Sequence, residues 1–195
     1  MQDTLAAEAL LVERCQQGDT AAFDQLVEQH GQWVYNLAYR MTGDREEAHD
    51  IAQEAFVRAF GAIKKFRRGS SFSTWLYRVA TNACLDEIKR RRRRPAPASS
   101  LVNEDRLEPD PPDSAPDVAE HIESLERQEL VRRAIASLPL HHRLTLVLYE
   151  LQGRSYEEIA HITKTNVGTV KSRLSRARLA LKDALEPHLE LLRGG

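Results

Sequence analysis

Cysteine is nearly absent from this chain: Cys15 and Cys84 are the only two in 195 residues. They stand far apart with no ligand spacing around them, which argues against a disulfide framework or a cysteine-built metal site. Reduced thiols packed as small apolar groups are expected instead. No apolar run approaches the roughly 18 residues that a membrane helix needs. The N-terminus lacks a basic stretch followed by an apolar one, so no secretory leader or membrane insertion is expected, and the chain should be cytoplasmic. Nothing in it offers a nucleophile–base pair, a phosphate-cradling glycine loop or a metal cluster, which argues against an enzyme and against a cofactor. His141 and His142 are adjacent and diverge by about 100° on a helix, so they do not share a metal. No fixed-period repeat is evident.

Aromatics are also sparse, at 6%, whereas hydrophobic residues make up 42% and charged residues 29%. Ala, Leu, Glu, Arg and Gln dominate, a bias that favours an all-helical protein. The net charge of -1 hides strong segregation. Residues 1–57 carry 11 acids and 3 bases, 58–94 carry 2 and 12, 95–120 carry 7 and 1, and 121–195 carry 9 and 12. A basic stretch suits phosphate contacts, and an acidic one suits a basic protein surface or shields the basic stretch.

Residues 95–118 hold six of the eight prolines. Proline lacks a backbone donor and interrupts helices, so this stretch reads as an extended acidic linker. The expectation is an all-α chain of two small helical domains, 1–94 and 119–195. In the first, Asp19 caps a helix whose apolar residues Phe23, Leu26, Val27, Val34, Leu37 and Ala38 recur at three-and-four spacing. Thr42-Gly43-Asp44 breaks it. Asp44 caps the next helix, with Glu47 completing a box-like cap, and that helix carries Ala48, Ile51, Ala52, Ala55, Phe56, Ala59 and Phe60 on one stripe. A basic loop, Arg67-Arg68-Gly69-Ser70-Ser71, leads into a helix from about Ser73 to Arg93.

In the second domain, a helix carrying Ile122, Leu125, Leu130, Val131, Ile135 and Leu138 ends at Pro139, and Leu144 to Leu151 form another. Ser155 and Glu158 then make an S-x-x-E capping box. A short helix to Thr163, a turn at Lys164–Asn166 and a long helix from Val167 towards Leu185 compose a helix-turn-helix. Ile159, Ala160 and Ile162 face the long helix, and Val170, Leu174, Ala177 and Leu181 form its buried stripe. Thr169, Lys171, Ser172, Arg173, Ser175, Arg176 and Arg178 remain exposed, a face of donors and cations suited to a major groove.

The first domain has a different signature. Residues 64–94 interleave Lys64, Lys65, Phe66, Arg67, Phe72, Trp75, Tyr77 and Arg78 with the cation run Lys89–Arg94. Aromatic faces stack on unpaired bases while cations track phosphates, so this is the composition of a single-strand trap. Phe72, Trp75 and Tyr77 are equally natural core residues. The hydroxyls of Ser70, Ser71 and Ser73 can hydrogen-bond a flipped base.

These residues resemble a known family. Phe72-Ser73-Thr74-Trp75-Leu76-Tyr77-Arg78-Val79-Ala80-Thr81-Asn82 is similar to the F-x-x-W-L-x-R-I-A-x-N signature of extracytoplasmic-function RNA polymerase sigma factors. Ala48 to Phe56 resembles their A-x-D-x-x-Q-E-x-F helix, Leu138-Pro139 with Arg143 their L-P-x-x-x-R, Glu158-Ile159-Ala160 their E-I-A, and Val167 to Leu174 their V-G-T-V-K-S-R-L. The resemblance implies a subunit that directs RNA polymerase to promoters. Asp50, Gln53 and Glu54 would dock on the β′ clamp helices, where acids and an amide suit a basic partner. Lys64, Lys65, Phe66, Arg67, Ser70, Ser71, Phe72, Ser73, Trp75, Arg78, Asn82, Lys89 and Arg90 would open and hold the −10 element as single strand. Ser155, Thr169, Lys171, Ser172, Arg173, Arg176 and Arg178 would read the −35 element as duplex. The apolar face around Leu144–Leu151 would meet the β flap, the linker would thread the polymerase cleft, and an anti-sigma factor would regulate the whole. One departure stands out: Lys164-Thr165-Asn166 occupies the turn where the family has Gly-Val-Pro. Lys164 then takes a left-handed position at a cost of about 1 kcal/mol, and Asn166 caps the reading helix. A self-sufficient operator-binding factor would have no need of the first domain, and a pure protein-interaction module would leave both basic faces idle.

Overall fold

The computed structural model describes residues 2–67, 69–93 and 118–189. The expected linker, apart from its final residue Val118, lies outside these residues, as do Arg68 and Arg94. Eight α-helices and no strand occur among the described residues. They are α1 (Gln2–Gln16), α2 (Thr20–Thr42), α3 (Arg45–Ala62), α4 (Phe72–Arg93), α5 (Val118–Ser137), α6 (Leu140–Leu146), α7 (Tyr156–Thr163) and α8 (Val167–Leu185). A 3-10 turn, Ile63–Lys65, follows α3, a π-helical turn, Val147–Leu151, continues α6, and a further 3-10 turn, Glu186–His188, ends the described chain.

The first block packs α2, α3 and α4 around one core, with α1 laid across it. Asp19 accepts from the backbone N–H of Ala22, as its place before the apolar stripe predicts. Leu26, Val34, Leu37, Ala38 and Met41 of α2 are fully buried. They meet Ala48, Ala55 and Ala59 of α3, also fully buried, and these small residues let the two backbones approach closely. Asp44 caps α3 through the N–H of Glu47. The Glu47 carboxylate pairs with Arg91 of α4, so it ties two helices together.

In the sequence Cys15 falls in a helical pattern, but nothing there sets the bounds of α1: its apolar run Leu10-Leu11-Val12 is short, and Leu10 is exposed. The helix is nonetheless well anchored. Leu11, Val12 and Cys15 are buried, Glu8 lies 2.9 Å from Nε2 of His30, and Gln16 donates to the carbonyls of Ile63 and Phe66 at 3.0 and 2.9 Å.

The second block packs α6 and α7 against α8, with α5 alongside. Pro139 precedes α6 and starts it, since a proline at the edge of a first turn has no N–H to lose. Leu144, Leu148, Ile159, Ile162, Val170 and Leu174 form its core.

The two blocks touch along a seam. Arg132 of α5 donates to the carbonyl of Gly43 at 2.7 Å, and the buried Arg143 of α6 donates to the carbonyl of Met41 at 2.7 Å. Arg143 also bonds the carbonyls of Ala136 and Leu138, closing the α5–α6 turn. Two guanidiniums of one block thus cap the negative end of α2 in the other. Gly43 is suited to this place twice over. Its φ is 78°, and a Cβ there would lie 2.5 Å from Arg132 Nη1. Further along the seam, the Tyr77 hydroxyl donates to Gln152 at 3.0 Å. Trp33 stacks on one face of the Tyr77 ring with centroids 3.7 Å apart, and the Arg154 guanidinium lies 4.5 Å over the ring, necessarily on its other face.

Candidate nucleic-acid interface

The basic-aromatic segment folds as a loop and the first turns of α4. Phe66, Phe72 and Trp75 form a three-ring cluster, with centroid separations of 5.1, 5.5 and 6.0 Å. Phe72 is 4% and Trp75 8% exposed, so both rings support the loop from below; Phe66 is half-buried. Tyr77 is 1% exposed, and burial pushes its hydroxyl pKa up. Of the two readings open for these aromatics, the fold gives Phe72, Trp75 and Tyr77 core positions.

Around the rings the polar groups are arranged in two sets. Lys64, Lys65 and Arg67 are exposed on the loop. Arg78, Asn82 and Lys89 recur at four-and-seven spacing, and so share one stripe of α4; Asn82 and Lys89 are exposed and Arg78 half-buried. Arg90 is exposed but pairs with Glu87 at 2.7 Å. Ser71 starts α4: its hydroxyl accepts from Thr74 N–H at 3.1 Å and donates to Thr74 Oγ1 at 2.8 Å. Its Oγ also lies 3.1 Å from that of Ser73. Ser70 and Ser71, with Glu8, Val12, Phe66 and Phe72, line a cavity of about 210 Å³. α1 supplies one wall of this cavity.

On the far side of the first block, Asp50, Gln53 and Glu54 are all exposed on α3. Gln53 joins Val27, Gln32, Tyr35, His49 and Phe56 around a groove of about 500 Å³ between α2 and α3. Glu54 pairs with Arg58 at 2.7 Å, and Arg58 reaches on to Asp86 of α4 at 2.8 Å. Val57 and Phe60 are exposed beside them.

In the second block the helix-turn-helix forms with the expected local chemistry. Ser155 Oγ accepts from Glu158 N–H at 3.2 Å, and Glu158 accepts from Ser155 N–H at 2.9 Å, so the capping box is complete. Lys164 ends α7 with φ 52° and ψ 46°, the left-handed geometry that a glycine would take without strain. Asn166 accepts from Thr169 N–H at 2.7 Å and caps α8.

α8 buries Val170, Leu174 and Ala177. At about 100° per residue, the direction opposite to them carries Ser172, Ser175, Arg176 and Leu179, all exposed. Thr169 and Arg173 lie on one flank, and Lys171 and Arg178 on the other. Ser175 is exposed as expected, and Leu179, 61% exposed, joins this face without notice in the sequence, since an apolar residue just past the basic stretch carries no signal of its own. The cations are not equivalent. Lys171 Nζ sits 5.5 Å over Tyr156, and Arg178 sits 5.4 Å over Tyr149. Those two tyrosines stack with centroids 4.9 Å apart. Arg178 also bonds Glu150 at 2.8 and 2.6 Å, which raises its pKa. Arg176 makes no ion pair among the described residues.

Comparison with known proteins places the chain in one family. The family profile described as Sigma-70 region 2 matches residues 26–94, and Sigma-70, region 4 matches 128–181. RNA polymerase sigma-H factor of Pseudomonas aeruginosa is 41% identical over 182 residues, covering 92% of this chain and 94% of that protein. ECF RNA polymerase sigma-E factor of Escherichia coli K12 is 39% identical over 186 residues, covering 92% and 95%. Among solved structures, CnrH in complex with the cytosolic domain of CnrY superposes with a TM-score of 0.68 at 25% identity, over 93% of this chain and 98% of that one. The sigma factor RpoE in complex with the anti-sigma factor NepR from Bartonella quintana superposes with a TM-score of 0.60 at 23% identity, over 84% and 96%. The latter likeness is one of fold. No helix among the described residues is long and apolar enough to cross a membrane.

Proposed function

The chain belongs to the extracytoplasmic-function sigma factors of the sigma-70 family, and from that premise we propose how its parts divide the work of promoter-specific transcription initiation by RNA polymerase. The first domain, 1–94, holds the core enzyme and the −10 element. The second, 119–195, holds the −35 element, and 95–118 links them. The chain brings no catalysis of its own.

The exposed acid-and-amide face of α3, Asp50, Gln53 and Glu54, docks on the β′ clamp helices. The apolar groove beside it gives those helices a surface to bury, while the carboxylates select a basic partner. The loop cations and the α4 stripe of Arg78, Asn82 and Lys89 track the −10 backbone. The cavity beside Ser70 and Ser71 receives a base turned out of the stack. Because Phe72 and Trp75 are buried, they act by holding that cavity open, and Phe66 is the ring best placed to meet a base.

α8 enters the major groove at the −35 element. Its outward face, with Ser172 and Arg176 of the expected set together with Ser175, reads base edges. Lys171, Arg173, Arg178 and the exposed Ser155 at the start of α7 lie towards the phosphates on either side. The β flap meets the second block near the exposed Leu151. Both solved relatives hold a protein partner, and we infer that an anti-sigma factor likewise holds this chain. A cytoplasmic location follows from that work.

The observation that carries this reading is the conjunction, in one chain, of a capped helix-turn-helix whose Arg176 makes no ion pair among the described residues and a first domain that pairs a basic loop with an exposed acidic face. The test is in vitro transcription on a pool of genomic promoters by core polymerase, with and without the protein. New start sites sharing two spaced upstream motifs are expected. No new transcripts, together with tight operator binding by the protein alone, would replace this reading with that of a self-sufficient DNA-binding regulator.

A further inference from the structure

α8 carries five cations, Lys171, Arg173, Arg176, Arg178 and Lys182, yet they do not present equal charge. Arg176 lies towards the outward face and makes no ion pair among the described residues. Arg178 lies on a flank, where a groove-bound helix faces the phosphates of one strand. Its guanidinium is bonded twice to Glu150, at 2.8 and 2.6 Å, and rests over Tyr149. Glu150 comes from the π-helical turn Val147–Leu151, which thereby sets a carboxylate beside the DNA-binding helix. Tyr156, stacked on Tyr149, holds Lys171 on the same flank but adds no charge.

Duplex binding without sequence preference depends on how many phosphates a protein neutralises, because each neutralised phosphate releases counterion. An arginine already balanced by a carboxylate releases little, and the carboxylate itself repels the strand. Base reading by Ser172, Ser175 and Arg176 is untouched by this. Resting on the −35 reading above, we propose that Glu150 is a specificity-determining residue: it neutralises Arg178 and so restrains sequence-independent duplex binding, leaving discrimination to the outward face of α8.

Glu150→Gln separates charge from position, since the glutamine oxygen still accepts from Arg178. The experiment measures full-length protein on a mixed-sequence duplex of about 30 base pairs by fluorescence anisotropy, across a salt series beginning near 20 mM. Glu150→Gln should bind more tightly than the native chain at low salt, and its plot of log K against log salt should be steeper by about 0.9, the increment for one more neutralised phosphate. Arg178→Ala alone leaves the Glu150 carboxylate unpaired beside the strand and should bind more weakly than the native chain, and Glu150→Gln/Arg178→Ala should return to the native slope. A slope and affinity unchanged by Glu150→Gln, including both proteins staying below detection at the lowest salt, would overturn the proposal, as would a gain that survives in the double variant. Arg176→Ala separates this from the reading beneath it. If that variant loses promoter transcription in the reconstituted holoenzyme while Glu150→Gln binds mixed duplex like the native chain, only the role of Glu150 fails. If Arg176→Ala initiates with unchanged promoter preference, the assignment of α8 to the −35 element fails with it.

Discussion

Lys164 has the one positive φ outside glycine among the described residues, and two positions later Asn166 caps the next helix. The turn of the helix-turn-helix is therefore strained at one residue and stabilised at another. Lys164→Gly should raise stability by up to about 0.5 kcal/mol, the relief of left-handed strain less the extra freedom of an unfolded glycine. Asn166→Ala should lower it by about 1 kcal/mol. Thermal unfolding of the two variants should bracket the native transition. A shift in the same direction for both would contradict this account. These roles were legible in the sequence because both residues stand where the turn pattern demands a particular backbone. Those of Arg132 and Arg143 were not. Their acceptors are main-chain carbonyls of Gly43 and Met41, 89 and 102 residues away, and a carbonyl carries no signature in the identity of its residue. Arg143 was visible as part of a motif without its reason; the reason is that it satisfies helix-end carbonyls of both blocks from a buried position.

α3 is sealed on one face and open on the other. Its alanine face is sealed against α2, and its acidic face is open. Glu54→Lys breaks one exposed ion pair, and Arg58 keeps its second acid, Asp86. The loss in stability should be under about 1 kcal/mol, while holoenzyme assembly, followed by native gel or size-exclusion chromatography with core polymerase, should fail or weaken strongly. Normal assembly would remove this face from the docking surface. Among the elements, those with a spaced apolar stripe and a polar cap were legible, namely α2, α3, α7 and α8. α1 was not, because its buried face is short, Leu11, Val12 and Cys15 with the polar Glu8 beside them, while the apolar Leu10 is exposed. The π-helical turn was missed too, since one extra residue in a turn looks in sequence like ordinary helix.

Across the whole molecule the two domains meet at Tyr77, which belongs to the same helix, α4, as the proposed −10 contacts. The seam there carries one hydroxyl–amide hydrogen bond, one guanidinium on one ring and two arginines on the end of α2, and α4 packs on α7 where buried apolar residues of both domains run into one cluster. Contacts between domains of one chain commonly rearrange when a larger partner engages both. Gln152→Ala/Arg154→Ala should broaden and lengthen the distance distribution between labels on cysteines introduced at Gln32 and Glu157, measured by double electron–electron resonance. An unchanged distribution would show that α5 and α6 alone hold the halves together. The native thiols will not interfere, since Cys15 and Cys84 are buried and burial pushes Cys84 up to about 12. The same arrangement has an optical consequence. The chain has two tryptophans, Trp33 and Trp75, and both belong to the first domain. Trp33 stacks on the very ring that Arg154 covers, so withdrawal of that guanidinium changes the polarity one ring away from an indole. The unlabelled protein carries its own emission gauge of domain separation, readable in a cuvette while core polymerase or an inhibitor is titrated in.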